Sequence, residues 1–228
     1  MGMKAKVALG AVVGVVVIGA VSANGGDDGK ASGGDKGSSA SANRDSGTGA
    51  GKGSGSEAAE QKVAFEGDGD FQVGSDIKPG TYRTTGNTDD MCYWERAKDA
   101  SGEVDSLLAN DNVSGTGYVT VQATDKIFKS SGCNDWEAVD PKAEGGSPAT
   151  GMAGDGGMFR VGVDIAPGTY KSTGNTDDMC YWERAKDAEH SLDSIIANDN
   201  VSGSAVVTLS ASDAYFKTSG CQDWKKTS

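Results

Sequence analysis

Residues 71–137 align with residues 159–225 at a constant offset of 88 and without a gap, and 45 of the 67 positions are identical. A chain that repeats itself in this way folds as two copies of one small unit, and self-similarity of this kind outranks every other pattern in the sequence. Met91-Cys92-Tyr93-Trp94-Glu95-Arg96-Ala97-Lys98-Asp99-Ala100 recurs unchanged at Met179 to Ala188, and Ala109 to Gly115 recurs unchanged at Ala197 to Gly203. Where the copies differ, apolar residues mostly replace apolar ones, as at Val104/Leu192, Leu107/Ile195, Leu108/Ile196 and Val121/Leu209. The patch that changes freely is Ser101-Gly102-Glu103, which becomes Glu189-His190-Ser191. It reads as an exposed hairpin tip.

Within one copy the apolar residues come in short runs. Phe71-Gln72-Val73, the stretch from Gly80 through Tyr82, Met91 to Lys98, Leu107 to Ala109, Tyr118 to Val121 and Ile127 to Lys129 read as strands. Asp76-Ile77-Lys78-Pro79-Gly80 is a turn, with Pro fixing φ and Gly free to take positive φ. Asn87-Thr88-Asp89-Asp90 and Asn110-Asp111-Asn112 read as polar loops between strands. Short strands separated by turns, without a sustained helical period, predict an all-β protein of two tandem small sandwich-like or barrel-like domains.

A domain this small has a marginal core and benefits from a covalent staple. Cys92 and Cys133 are 41 residues apart, as are Cys180 and Cys221. Pairing within each copy is the natural assignment among the three connectivities that four cysteines allow, and closing such a loop contributes roughly 4 kcal/mol in the chain-entropy model. Trp94 shares a strand face with Cys92, so it and Trp136 are expected beside the bridge, as are their copies.

The remaining sequence sets boundaries. Met1 to Lys6 is basic and Val7 to Ala23 is apolar, which predicts a signal peptide over 1–23, with cleavage after Ala23, or else an uncleaved N-terminal anchor. Asn24 to Lys62 contains no Val, Leu, Ile, Met or aromatic residue, so 24–62 is expected to be a disordered tether with an r.m.s. span of roughly 35 Å. The copies are placed at 63–137 and 152–228. A loose linker at 138–151, with Pro141, Pro148 and several glycines, would let them move relative to each other. The formal net charge of −12, from 33 acidic and 21 basic residues, argues against a nucleic-acid partner. It suits an exported, self-repelling monomer.

No catalytic group recurs. His190 is the single histidine, faces Gly102 in the alignment and reads as a surface residue, so neither copy holds a Ser-His-Asp set. A hydrolase would instead need carboxylates such as Asp89 and Glu95 to converge. The oxygen-rich segments, Asn87, Asp89, Asp90, Asn110 and Asp111 with their copies Asn175, Asp177, Asp178, Asn198 and Asp199, are ordinary turn formers and alternatively hard-oxygen ligands. Their spacing matches no EF-hand loop, and no metal or cofactor is expected. Tyr93 and Glu95, with Tyr181 and Glu183, face away from the Cys/Trp side if the strand is regular. They are either covered by a second layer or exposed for stacking and hydrogen bonding to a sugar.

Val73-Gly74, Asp76-Ile77, Pro79-Gly80-Thr81-Tyr82, Cys92-Tyr93-Trp94, Arg96, Ala109-Asn110, Phe128, Cys133 and Trp136, each with its copy, resemble a domain common in exported proteins and lipoproteins of actinobacteria. The resemblance implies a secreted or cell-surface location and brings no catalytic residue. Its members often carry a lipid-anchoring cysteine, which is missing from the N-terminal region of this chain. The expected function is an extracellular binding or interaction module, with a cell-wall or extracellular glycan as the leading partner. A ligand-free surface stalk is the alternative.

Overall fold

A computed structural model describes residues 63–228 except Pro141 and Glu144, with the side chains of Asp89 and Asp177 also outside the description. The expectations for 1–23 and 24–62 lie outside the described residues. Each copy is built on one long antiparallel hairpin. In copy 1 this is β3 (Gly80–Ala97) and β4 (Leu107–Val121), framed by β1 (Val63–Phe65), β2 (Gly69–Gln72), β5 (Ile127–Ser131) and β6 (Trp136–Val139). Copy 2 repeats the set as β7 (Gly151–Met152), β8 (Gly157–Arg160), β9 (Gly168–Ala185), β10 (Ile195–Leu209), β11 (Tyr215–Ser219) and β12 (Trp224–Lys226). A single turn of 3-10 helix precedes β4 and β10, at Val104–Ser106 and Leu192–Ser194. The protein is all-β, in two tandem domains with one disulfide each.

The polar segments read as loops are part of the hairpin. Asn110, Asp111 and Asn112 pair in register with Glu95, Trp94 and Tyr93. Asn87 to Asp90 is absorbed as an irregularity within β3, with register shifts between Thr84 and Asn87 and between Asn87 and Cys92. Bulges of this sort bend a strand, and here they let one strand serve two partners. The first half of β3 pairs with β6, and the second half with β5, which in turn carries β2. Local turn preference yields at Asn110, Asp111 and Asn112 because each has a cross-strand partner for its backbone.

The core of copy 1 lies between the two halves. Phe65, Tyr82, Val119, Val121 and Trp136 meet Cys92, Trp94, Val113 and Phe128. The indole N–H of Trp136 donates to Ser130 Oγ (2.9 Å), which donates to the Gly67 carbonyl (2.6 Å). Trp224, Thr218 and Gly154 repeat this relay. Gly67 has no substitute, because a Cβ there would sit 1.9 Å from the Cys133 carbonyl oxygen. Cys92–Cys133 and Cys180–Cys221 are the two disulfides. Trp94, Trp136, Trp182 and Trp224 pack in the clusters that contain them.

Candidate functional site

Two sites emerge from this scaffold, and the first is the face of the hairpin opposite Cys92 and Trp94. Alternation along β3 brings Tyr93 and Glu95 to one side, and the register of β4 adds Asn110. Tyr93 Oη donates to Glu95 Oε2 (2.6 Å) and accepts from Asn110 Nδ2 (3.4 Å). Burial, reinforced by the Glu95 carboxylate, pushes the Tyr93 hydroxyl up to about 12. It therefore keeps its proton and stays committed to Glu95. Tyr181, Glu183 and Asn198 reproduce the group at 2.6 and 3.3 Å.

The other expected site residues do not join these groups. Asn87 is buried and structural: its amide donates to the Gly115 carbonyl, and its Oδ1 accepts from the Asn134 backbone. Asn175 does the same for Gly203 and Gln222. Asp90 accepts from Ser114, and Asp178 from Ser202, across the hairpin. Asp199 accepts from the Asn200 backbone. Among the described residues, no group of three or more His, Cys, Asp or Glu is placed to hold a metal ion.

The second site is the joint between the copies, which touch directly as well as being connected through the linker segment. The front face of copy 2, which bears Tyr181 and Glu183, docks on the face and outer edge of β4. Backbone hydrogen bonds cross from Thr116 N to Gly156 O (2.9 Å) and from Thr120 N to Ala188 O (2.7 Å). Thr116 also forms a parallel bridge with Gly157. Gly115 has a φ of +68° and lies so close to copy 2 that a Cβ would meet the Gly156 carbonyl oxygen at 2.4 Å. Tyr118, Met158, Ala185, Ala188 and Tyr215 form an apolar cluster drawn from both copies.

Charges finish the joint. Lys217 Nζ reaches both carboxylate oxygens of Asp111 at 2.6 Å. Tyr118 Oη donates to Asp164 (2.8 Å). Arg96, itself buried against Asp125 by two hydrogen bonds of 2.6 and 3.0 Å, donates its third to the Glu189 carbonyl (2.7 Å).

His190 is half-buried in the joint, not free on the surface. Its ring meets the Trp94 ring at 73° with centroids 4.8 Å apart, and its Nε2 lies 2.7 Å from the Tyr118 carbonyl oxygen. A carbonyl only accepts, so Nε2 carries the proton. Burial holds the imidazole pKa below its usual value, and Lys217 pushes the same way, while Asp111 and Glu183 oppose. Glu189 and His190 of the tip are thus docked on copy 1 while Ser191 stays exposed, whereas 101–103 in copy 1 is exposed throughout, as expected.

Beside the joint, docking leaves an open groove of about 620 Å³. Thr81 and Thr120 line it from copy 1, and Arg160, Lys186, Asp187 and Tyr215 from copy 2. Sequence reasoning missed it because the groove exists only once two faces have met.

No solved structure matches the chain. The uncharacterized proteins Rv1352 of Mycobacterium tuberculosis and Mb1387 of Mycobacterium bovis are each 31% identical to it over 100 residues, covering 38% of this chain and 80% of theirs. The model of the Rv1352-like extracellular domain matches residues 63–137 and again 150–225. The chain therefore belongs to the Rv1352-like extracellular domain family, carries that domain twice, and is a secreted or cell-surface protein.

Proposed function

We propose that this chain is an extracellular binding module whose ligand lies in the groove between its two copies. The observation that carries the reading is the groove itself. It is concave, falls within the size range of small-molecule and oligomer sites, and brings a few polar groups together from two domains. The threonine hydroxyls and the charged ends of Lys186 and Asp187 supply donors and acceptors of the kind that recognise a glycan segment of a cell wall or matrix. The Tyr93 group stands apart on copy 1. Among the described residues that line the groove there is one carboxylate, Asp187, and no histidine or cysteine, which supports reading it as a binding site.

Binding to purified peptidoglycan, soluble wall polymers and a glycan array tests it. Wild type should bind at least one of them, and both Thr81→Trp, which fills the groove, and Lys186→Glu should abolish that binding. No binding to any of these polymers sinks the glycan reading. A second reading, a surface spacer without a ligand, draws support from the direct contact between the copies. It requires that Thr81→Trp leave every surface phenotype unchanged.

A further inference from the structure

The joint is head-to-tail: one face of copy 2 rests on a different face of copy 1. A contact of that kind does not close on itself, and it leaves the same two faces unused at opposite ends of the pair. At one end is the outer face of copy 2, the counterpart of the face that receives copy 2 on copy 1. Trp182, Arg184 and Asp199 stand there as Trp94, Arg96 and Asp111 do in the joint. Val206 is 61% exposed where Tyr118 is 1%. The outer edge of β10 has no strand beside it among the described residues, whereas β4 has β8. Val201 to Leu209 contains neither charge nor proline, the devices that normally blunt an open edge.

The opposite end is built differently. The front face of copy 1 carries Asp70, Lys126 and Gly102 where the docked face of copy 2 carries Met158, Ala214 and His190. Met158 is buried in the joint cluster and Ala214 packs against it, so a carboxylate and an ammonium at those positions would lose their water without gaining a partner.

We propose that the outer face of copy 2 is a docking site for another domain of this same family, one whose front face has the chemistry of copy 2. That partner presents apolar side chains at the Met158 and Ala214 positions, a histidine at the tip, and a lysine for Asp199. Asp70, Lys126 and Gly102 keep the chain from serving as its own partner.

The test supplies that front face on the full chain, as Asp70→Met/Lys126→Ala/Gly102→His, followed by analytical ultracentrifugation over a wide concentration range. Wild type should stay at monomer mass, and the triple variant should climb past twice that mass. Adding Asp199→Lys should return it to monomer, and Lys129→Asp on top of that should restore assembly by charge exchange. A folded triple variant that remains monomeric overturns the proposal. So does assembly indifferent to Asp199→Lys, or a wild type that assembles through Asp199. Should the triple variant fail to fold, Asp70→Ala/Lys126→Ala/Gly102→His, which removes both charges at exposed positions and adds the histidine, replaces it. Asp199-dependent self-association of that variant then supports the proposal, and its absence in the folded variant overturns it.

Discussion

Copy 1 and copy 2 share sixteen unbroken residues around their first cysteine, Thr85–Ala100 and Thr173–Ala188, yet those residues do not live in the same surroundings. Trp94 is sealed and Trp182 is partly open; Arg96 is buried and Arg184 is not. The difference comes from the joint, since copy 1 has its β4 face covered and copy 2 does not. Burial here is therefore a property of position in the pair and not of the local sequence. The substitutions between the copies follow the same logic. Asp70/Met158, Lys126/Ala214, Ile127/Tyr215 and Gly102/His190 all lie on the front face, which is docked in copy 2 and free in copy 1.

This contrast can be broken most severely at Arg96. Arg96→Ala leaves Asp125 buried and unpaired and should cost about 3–5 kcal/mol. Arg184→Ala, at a side chain with 23% exposure, should cost only about 1–3 kcal/mol. Urea denaturation of the two variants measures both, and equal losses would mean that the joint does not seal Arg96. Next in size is Tyr118→Val, which gives copy 1 the residue of copy 2. It removes the Asp164 hydrogen bond and part of the shared cluster, for a loss of about 2–3 kcal/mol. The reverse exchange, Val206→Tyr, should stay within about 0.5 kcal/mol.

His190→Gly gives copy 2 the tip of copy 1, and should cost about 1 kcal/mol at neutral pH. Its pH dependence sharpens the comparison further. Because the folded pKa of His190 is depressed, the unfolded chain takes up the proton first, near pH ~6.5. The stabilisation from His190 is complete above that pH and is lost as pH falls toward the folded value. The difference in melting temperature between wild type and His190→Gly should shrink on acidification below about 6.5. A further contrast separates the lysines: Lys217→Ala should cost about 1 kcal/mol for a largely shielded pair, and Lys129→Ala nothing measurable.

Much of the domain was legible in the sequence because its causes are local. The repeat, the β class and the in-copy pairing of the cysteines follow from spacing alone. So does the Tyr93–Glu95 side of β3, because side chains alternate along a strand. The Asn110-Asp111-Asn112 segment was misread because its turn preference is real but weaker than the pairing offered by β3. The joint was not legible, since identical residues such as Trp94 and Trp182 carry no mark of which one will be covered. A clue was nonetheless present in the set of front-face positions that turn from charged or small in copy 1 to apolar or aromatic in copy 2. The groove and the His190 contact with Trp94 depend wholly on that docking.

The parallel seam where Gly115 meets Gly156 has a consequence for the order of the domains. The pair has a direction, and exchanging its members is not a neutral edit. A chain reading copy 2 before copy 1 would turn Met158, Ala214 and Tyr215 toward water and press Asp70 and Lys126 into the seam. Two modules that look interchangeable on paper are, in the folded molecule, a first and a second.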